Sequence, residues 1–245
     1  MQRLEYKYYI PEKYLTNLRN DVSQYLKHDI YAKFRPNFEY TVRSIYLDSS
    51  KLHTYQEKLS GIKERSKFRI RTYNQQSNDS LAFFEIKRKD SDFISKDRSK
   101  ILCRNIESFL STKDFSLLAG SQRDKTQRET FARNFLYYFC LHQLKPTVLV
   151  TYEREAFECK FGTGIRITFD KNIRARTTST LSELFVDDKM IPSLIGFFVL
   201  EVKFSKILPN WLPRVMNKYG LFREAASKYV MSMDATENKI LNFLN

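Results

Sequence analysis

The segment "FFEIKRK", Phe83 to Lys89, decides how this chain folds on paper. On an extended strand, successive side chains point to opposite faces. Phe83, Glu85, Lys87 and Lys89 then share one face, and Phe84, Ile86 and Arg88 share the other. A short apolar strand thus carries a carboxylate and two ammonium groups in one row. A solvated sheet face with an incidental ion pair is the simplest account. The neighbouring strands argue against it.

"ERSKFRIRTY" (64–73) places Arg65, Lys67, Arg69 and Arg71 at alternate positions, with Ser66, Phe68, Ile70 and Thr72 between them. Like charges along one row repel, so four cations there imply an anion to receive. "FISKDRSKI" adds Lys96, Arg98 and Lys100 with the same period, and later strands add Arg154 and Arg166. "LEYK" (4–7), "FEIK" (84–87) and "LEVK" (200–203) all read apolar–Glu–apolar–Lys. Glu5/Lys7, Glu85/Lys87 and Glu201/Lys203 are therefore pairs on single strand faces. Lys and Glu are rarely buried without partners. If these faces line a barrel, its interior is wet and charged.

The bulk properties agree. The chain has 245 residues, with 42 Lys plus Arg against 28 Asp plus Glu, a formal charge of +14. Such an excess attracts polyanions: nucleic acid, anionic lipid or phosphate chains. Aromatic residues make up 15%, dominated by 20 Phe and 15 Tyr, which favours strands. No linker or repeat interrupts the chain, which reads as one domain over residues 1–245. The longest apolar runs fall far short of the roughly 20 residues a membrane span needs. The N-terminal stretch lacks the pattern of a signal peptide. Cys103, Cys140 and Cys159 are widely spaced and form no CxxC pair, which fits a reducing, cytoplasmic setting.

Periodicity predicts strands at 4–10, 40–49, 64–74, 81–90, 93–102, 145–158, 164–170 and 196–204, with "IRARTT" a further candidate. It predicts helices at 11–29, 50–61, within 107–142, at 209–220 and at 224–244, and a short helix or turn at 181–186. The expected fold is α+β: a closed antiparallel β-barrel tunnel of about eight strands, decorated with helices.

Both charge signs in one cavity suit phosphoryl transfer. Phosphate oxygens need Lys and Arg donors, and a bridging divalent ion takes carboxylate ligands. A groove for single-stranded nucleic acid needs cations and stacking aromatics but gains nothing from repeated Glu, so no nucleic-acid partner is expected. His28, His53 and His142 are isolated, and no P-loop or dinucleotide fingerprint is present.

Taken in order, "LEYKYYI", "VRSIYLD", "KFRIRTY", "FFEIKRK", "TYEREAF", "IRITFD", "VLEVK" and "SKYV" resemble the motifs of the vacuolar transporter chaperone (VTC) domain. That domain is similar to the CYTH group of triphosphate tunnel metalloenzymes. The resemblance spans about residues 3 to 235. It implies a tunnel that binds triphosphate or polyphosphate with Mn²⁺ or Mg²⁺. It also implies a polyphosphate polymerase that extends the chain from the γ-phosphate of ATP. A tunnel triphosphatase or a non-catalytic polyphosphate-binding module are the alternatives.

Carried over by motif, eight residues would be catalytic: Lys7, Arg69, Arg71, Lys87, Arg154 and Arg166 would hold the phosphate chain, Lys203 would sit beside the metal, and Lys228 would reach into one tunnel mouth. Arg43, Arg65, Lys67, Lys89, Lys96 and Arg98 have weaker claims as substrate contacts. Glu201 would hold the metal; Glu5 and Glu85 are second-choice ligands or partners that orient lysines. Two departures stand out. The first strand reads Arg3-Leu4-Glu5-Tyr6-Lys7, where the triphosphatases resemble E-x-E-x-K, and Ala225 stands near Lys228 where a second lysine is expected. The resemblance includes no N-terminal regulatory domain and no transmembrane segment. The basic exterior is suited to peripheral association with a membrane or membrane protein.

Overall fold

The alternation in residues 64–73 sets the architecture, because it gives the sheet one charged face and one apolar face. The computed structural model describes residues 4–91, 93–205 and 208–244, with side chains described as far as residue 237. Arg3, the sequence departure at the first strand, lies outside them. The elements run β1 (Leu4–Pro11), α1 (Leu15–Ser23), β2 (Leu26–His28), β3 (Glu39–Asp48), α2 (His53–Leu59), β4 (Arg65–Tyr73), β5 (Leu81–Asp90) and β6 (Phe93–Leu102). They continue α3 (Ile106–Thr112), α4 (Lys125–Leu141), β7 (Lys145–Cys159), β8 (Arg166–Thr177), β9 (Ile191–Pro192), β10 (Phe197–Phe204), α5 (Trp211–Lys218) and α6 (Lys228–Leu244). No described helix is long and apolar enough to cross a membrane.

Eight strands form one curled antiparallel path, β1-β10-β8-β7-β3-β4-β5-β6, with β2 on β7 and β9 on β8. Apolar side chains of the convex face pack under helices. Phe68, Ile70, Phe84 and Ile86 meet Phe109 of α3 and Phe135 of α4. Tyr8, Ile10, Leu200 and Phe198 meet Leu18 and Val22 of α1 and Leu212 of α5. The concave face carries its own cluster, in which Val42, Tyr46, Val150 and Tyr152 enclose Tyr229 and Met233 of α6.

That last cluster corrects the expected closed barrel. The sheet wraps α6 and stays open: β1 and β6 are edges with no ladder between them. Side chains bridge the seam instead, where Lys87 on β5 donates to both oxygens of Glu5 on β1 at 3.0 and 3.1 Å. The interior is accordingly charged at one part and apolar at another, not charged throughout.

Three element boundaries also differ from expectation. The helix expected at 11–29 ends at Ser23, because Leu26–His28 pairs with Cys159–Phe157 as a strand. Residues 166–177 form one continuous strand through "IRARTT". The final helix starts at Lys228 and not at 224, because the preceding backbone serves β1. Glu224 N donates to Lys7 O at 2.9 Å, and Lys7 Nζ donates to Ala226 O at 3.0 Å. Residues 182–185 form a short 3-10 turn.

Asp48 ties α2 and α6 to the sheet. Its Oδ2 accepts from Tyr229 OH at 2.6 Å, Thr54 Oγ1 at 2.7 Å and Tyr55 N at 3.0 Å, and its Oδ1 accepts from Thr54 N at 3.0 Å. Removing it leaves buried donors without partners. Asp48→Ala should therefore lose about 3 kcal/mol or more of unfolding free energy. A urea melt checks this; a loss under about 1 kcal/mol would sink the role assigned to Asp48.

Candidate active site

Strand register assembles the inner face. Residues directly opposite in a ladder share a face. Arg65, Lys67, Arg69 and Arg71 stand opposite Lys89, Lys87, Glu85 and Phe83. On the other side of the seam, Glu5 and Lys7 stand opposite Lys203 and Glu201. These rows, with Arg154 of β7 and Lys228 of α6, line a cavity of about 370 Å³, within the range of small-ligand sites.

The cavity floor is an ion network. Lys228 Nζ lies 2.5 Å from Asp170 Oδ2 and 2.8 Å from Glu201 Oε1. Arg154 grips Asp170 with two parallel donors at 2.6 and 2.7 Å, and reaches Glu201 at 3.5 Å. Lys203 Nζ donates to Glu201 at 3.1 Å, and Lys7 lies 3.7 Å from the same carboxylate. Burial opposes ionisation of Glu201, but Lys228, Lys203, Lys7 and Arg154 outweigh it and hold the carboxyl well below its ordinary range. Burial likewise opposes the Lys228 charge, and Asp170 and Glu201 overcome it, so its pKa is raised.

Glu5 and Glu85 are ion-pair partners. Glu5 contacts Lys7 at 3.1 Å and Lys87 at 3.0 Å. Glu85 is fully buried between Arg69 at 2.7 Å, Lys96 at 2.5 Å and Arg98 at 3.1 Å. Arg71, by contrast, rests on neutral oxygens: it donates to Ser44 Oγ at 2.9 Å and Tyr152 OH at 3.2 Å. Lys67 meets Ser227 Oγ at 2.5 Å. Burial, reinforced by Lys7, Lys87, Arg65 and Lys58, pushes the Lys67 pKa well down. Burial also lowers Lys87 to about 8, with Lys7 adding to it and Glu5 opposing it.

Most of the residues singled out in the sequence converge here, namely Lys7, Arg65, Lys67, Arg69, Arg71, Lys87, Lys89, Arg154, Lys203, Lys228, Glu5 and Glu201. Others do not reach the cavity. Arg43 sits on the convex face, its guanidinium held by Asp187 at 2.6 Å and by Asn74 O at 3.0 Å. Odd positions of β3 point away from Ser44 and Tyr46, so alternation excludes it. Arg166 stands opposite Lys203 but turns to Asp29 Oδ2 at 2.7 Å and Tyr40 OH at 3.2 Å. Lys96 and Arg98 are on the inner face but spent on Glu85. Sequence reading missed Asp170, although it lies four residues beyond Arg166 on the same strand face. It also missed Tyr46, Tyr152 and Ser227, which bind cations through hydroxyls and carry no charge pattern to reveal them.

Among the described residues, no three His, Cys, Asp or Glu side chains gather as metal ligands. A cation needing a full protein cage does not fit. Glu201 and Glu5 are the carboxylates that could contribute to an ion bringing phosphate oxygens of its own, and in this arrangement both are contacted by Lys7 and Lys203.

Comparison with known proteins bears on this geometry. A family model described as the VTC domain matches residues 2–237. No curated protein matches the chain. A solved Hippeastrum structure, of a candidate adenylyl cyclase with a dominant triphosphatase activity, matches at 12% identity and TM-score 0.52, covering 96% of this chain and 97% of that one. A candidate adenylate cyclase from Bacillus halodurans matches at 10% and 0.49, covering 93% and 96%. A Pyrococcus horikoshii protein matches at 12% and 0.48, covering 95% and 98%. The Hippeastrum likeness shows a shared fold; the other two are weaker and carry no argument.

Two outcomes follow from the charges. Lys87 binds anions only when protonated, so tripolyphosphate affinity should fall as pH rises through about 8. Calorimetric titration across that window checks this, and a flat profile refutes it. Without ligand, the folded state binds fewer protons than the unfolded chain between about 8 and the ordinary 10.5 of lysine, so Lys87 makes stability rise with pH there. Lys87→Met should reduce that slope in melts. Asp170→Ala, which leaves Arg154 and Lys228 short of a buried counter-charge, should cost about 3–5 kcal/mol. Urea unfolding measures it, and a loss below about 1 kcal/mol would count against the network.

Proposed function

The chain belongs to the VTC domain family, and from that premise we propose that it is a polyphosphate polymerase, transferring the γ-phosphoryl group of ATP to the end of a polyphosphate chain on the inner face of the sheet. The terminal oxygen of the chain attacks the γ-phosphorus. The bond from that phosphorus to the β–γ bridging oxygen breaks, and ADP leaves. No protein atom is acylated or phosphorylated. Alignment of two polyanions and neutralisation of their charge supply the rate.

Arg69, Arg71, Lys87, Lys7 and Lys203 line the walls and would bind phosphate oxygens, with Lys228 and Arg154 at the floor. Glu201, then Glu5, would hold a Mn²⁺ or Mg²⁺ ion, which supplies further neutralisation of phosphate charge. Glu201 also fixes Lys203 and Lys228, so it orders the cations whether or not an ion is bound.

One observation carries this reading. The row Arg65-Lys67-Arg69-Arg71 extends about 20 Å along one strand, long enough to follow a chain past three phosphoryl groups. Moreover, Glu5, Glu85, Glu201 and Asp170 each contact at least two cations. A carboxylate so engaged is a poor base for activating water. The second reading is a triphosphatase, in which water replaces the chain end. The dominant triphosphatase activity of the Hippeastrum neighbour favours it.

Purified protein given ATP and Mn²⁺ should yield a ladder of chains on a gel. ADP and free phosphate without chains would instead establish the triphosphatase. Arg71→Gln is the cleaner active-site variant, because Arg71 leaves only hydroxyls behind. It should slow turnover by about 10²–10³, the usual effect of removing one preorganised donor. Initial rates read this directly, and a change under about threefold would remove Arg71 from the site.

A further inference from the structure

The segment between β2 and β3 exposes large apolar side chains that nothing in the phosphate site uses. Ile30 is 68% exposed, Tyr31 65%, Phe34 83% and Phe38 48%. They occupy one compact stretch, "IYAKFRPNF" (30–38). Scattered surface apolar residues are ordinary; a contiguous group marks a contact surface.

The stretch is a rigid platform. Lys33 N donates to Asp29 O at 2.9 Å, closing one helical turn. The buried Asp29 Oδ1 accepts from Tyr31 N at 3.0 Å and Ala32 N at 2.9 Å. Its Oδ2 accepts from Arg166 at 2.7 Å, which pins the turn to β8. Phe38 stacks on His28 with ring centroids 4.3 Å apart.

The turn also sorts its side chains. At 3.6 residues per turn, Ile30, Phe34 and Tyr31 fall within an arc of about 100°. Ala32 points the opposite way, into the core, and is fully buried. Lys33 and Arg35 flank the apolar arc on its two sides, and both are exposed. The acidic groups nearby are occupied or buried: Asp29 by Arg166, Glu39 by Lys171 at 2.5 Å, and Glu158 by Lys27 at 3.3 Å. An apolar, aromatic tip rimmed by cations matches the interface of an anionic bilayer, where rings sit at headgroup depth and Lys and Arg meet lipid phosphate and carboxylate.

We propose that residues 30–38 dock this protein on an anionic lipid surface, with Ile30, Tyr31 and Phe34 inserted and Lys33 and Arg35 on the headgroups. Two signals of modest strength, apolar insertion and cation–headgroup attraction, act together. None of the docking residues lines the phosphate cavity; the turn is joined to the sheet through the Asp29–Arg166 pair, the Asp29 N to Ala156 O hydrogen bond at 2.9 Å and the packing of Ala32.

The experiment is co-sedimentation with vesicles of phosphatidylcholine, with and without phosphatidylserine. Each arm is run without tripolyphosphate and with an excess of it, which fills the basic cavity. Wild type should pellet with the phosphatidylserine vesicles and stay in solution with the neutral ones. Ile30→Ser with Phe34→Ser, and separately Lys33→Glu with Arg35→Glu, should each weaken binding about tenfold or more. Melting temperature and tripolyphosphate affinity should stay unchanged. If the first double variant melts lower, Phe34→Ser alone decides, since that ring is 83% exposed. Variants that bind like wild type would overturn the proposal. So would binding that tripolyphosphate abolishes, because the cavity would then be the vesicle contact. A concentration-dependent dimer of wild type that Phe34→Ser dissolves would assign the surface to a second copy of the chain instead.

Discussion

The ammonium of Lys228, held between Asp170 and Glu201, is the constraint on which the rest of the inner face depends. Charge buried in a protein interior is expensive unless paired and hydrogen-bonded. Here, pairing is reciprocal: Arg154 satisfies Asp170, and Lys203 and Lys7 complete the shell of Glu201. The contact also joins distant parts of the chain, since Lys228 opens α6 while its partners lie on β8 and β10. The helix therefore enters the concave face at one defined depth, fixed by charge at its first residue and by Tyr229 and Met233 packing behind it.

Openness of the sheet follows from that helix. A curled sheet that must hold a helix and a row of cations has no room to bring its edges into a ladder. Edge strands are usually a liability, and here β1 is managed partly by the Glu5–Lys87 ion pair across the seam. Glu5 thereby orients Lys87 and Lys7, two of the groups proposed to bind phosphate. Stability and site are thus built from the same side chains. Burial, reinforced by neighbouring cations, lowers the pKa values of Lys67 and Lys87. A bound polyanion would relieve that crowding of cations.

Much of this was legible before any coordinates. The alternation in "KFRIRTY" and "FFEIKRK" correctly divided the sheet into a core face and a charged face, because side-chain direction on a strand has period two and needs no tertiary information. Lys7, Arg69, Arg71, Lys87, Lys203 and Glu201 all arrived where that rule sent them. Arg43 failed it for a reason the rule itself contains: its strand neighbours Ser44 and Tyr46 are the inward ones. The helix expected over 11–29 failed because pairing of Leu26–His28 with β7 overrides local periodicity.

Sequence by itself determined the secondary elements in outline, the two-faced character of the strands, and the excess of cations on one face. Those properties are local, set by residue type and spacing along a single strand. Only the tertiary structure decided that the barrel stays open, that Asp170 anchors Lys228, and that Arg166 turns from the cavity to Asp29. It also decided that Glu85 is spent on Arg69, Lys96 and Arg98. Each of these depends on which charges meet across strands and helices far apart in the chain, and on which side chain reaches a given carboxylate first. Pairing energies of that kind fall off within a few ångströms, so spacing along the sequence carries no record of them.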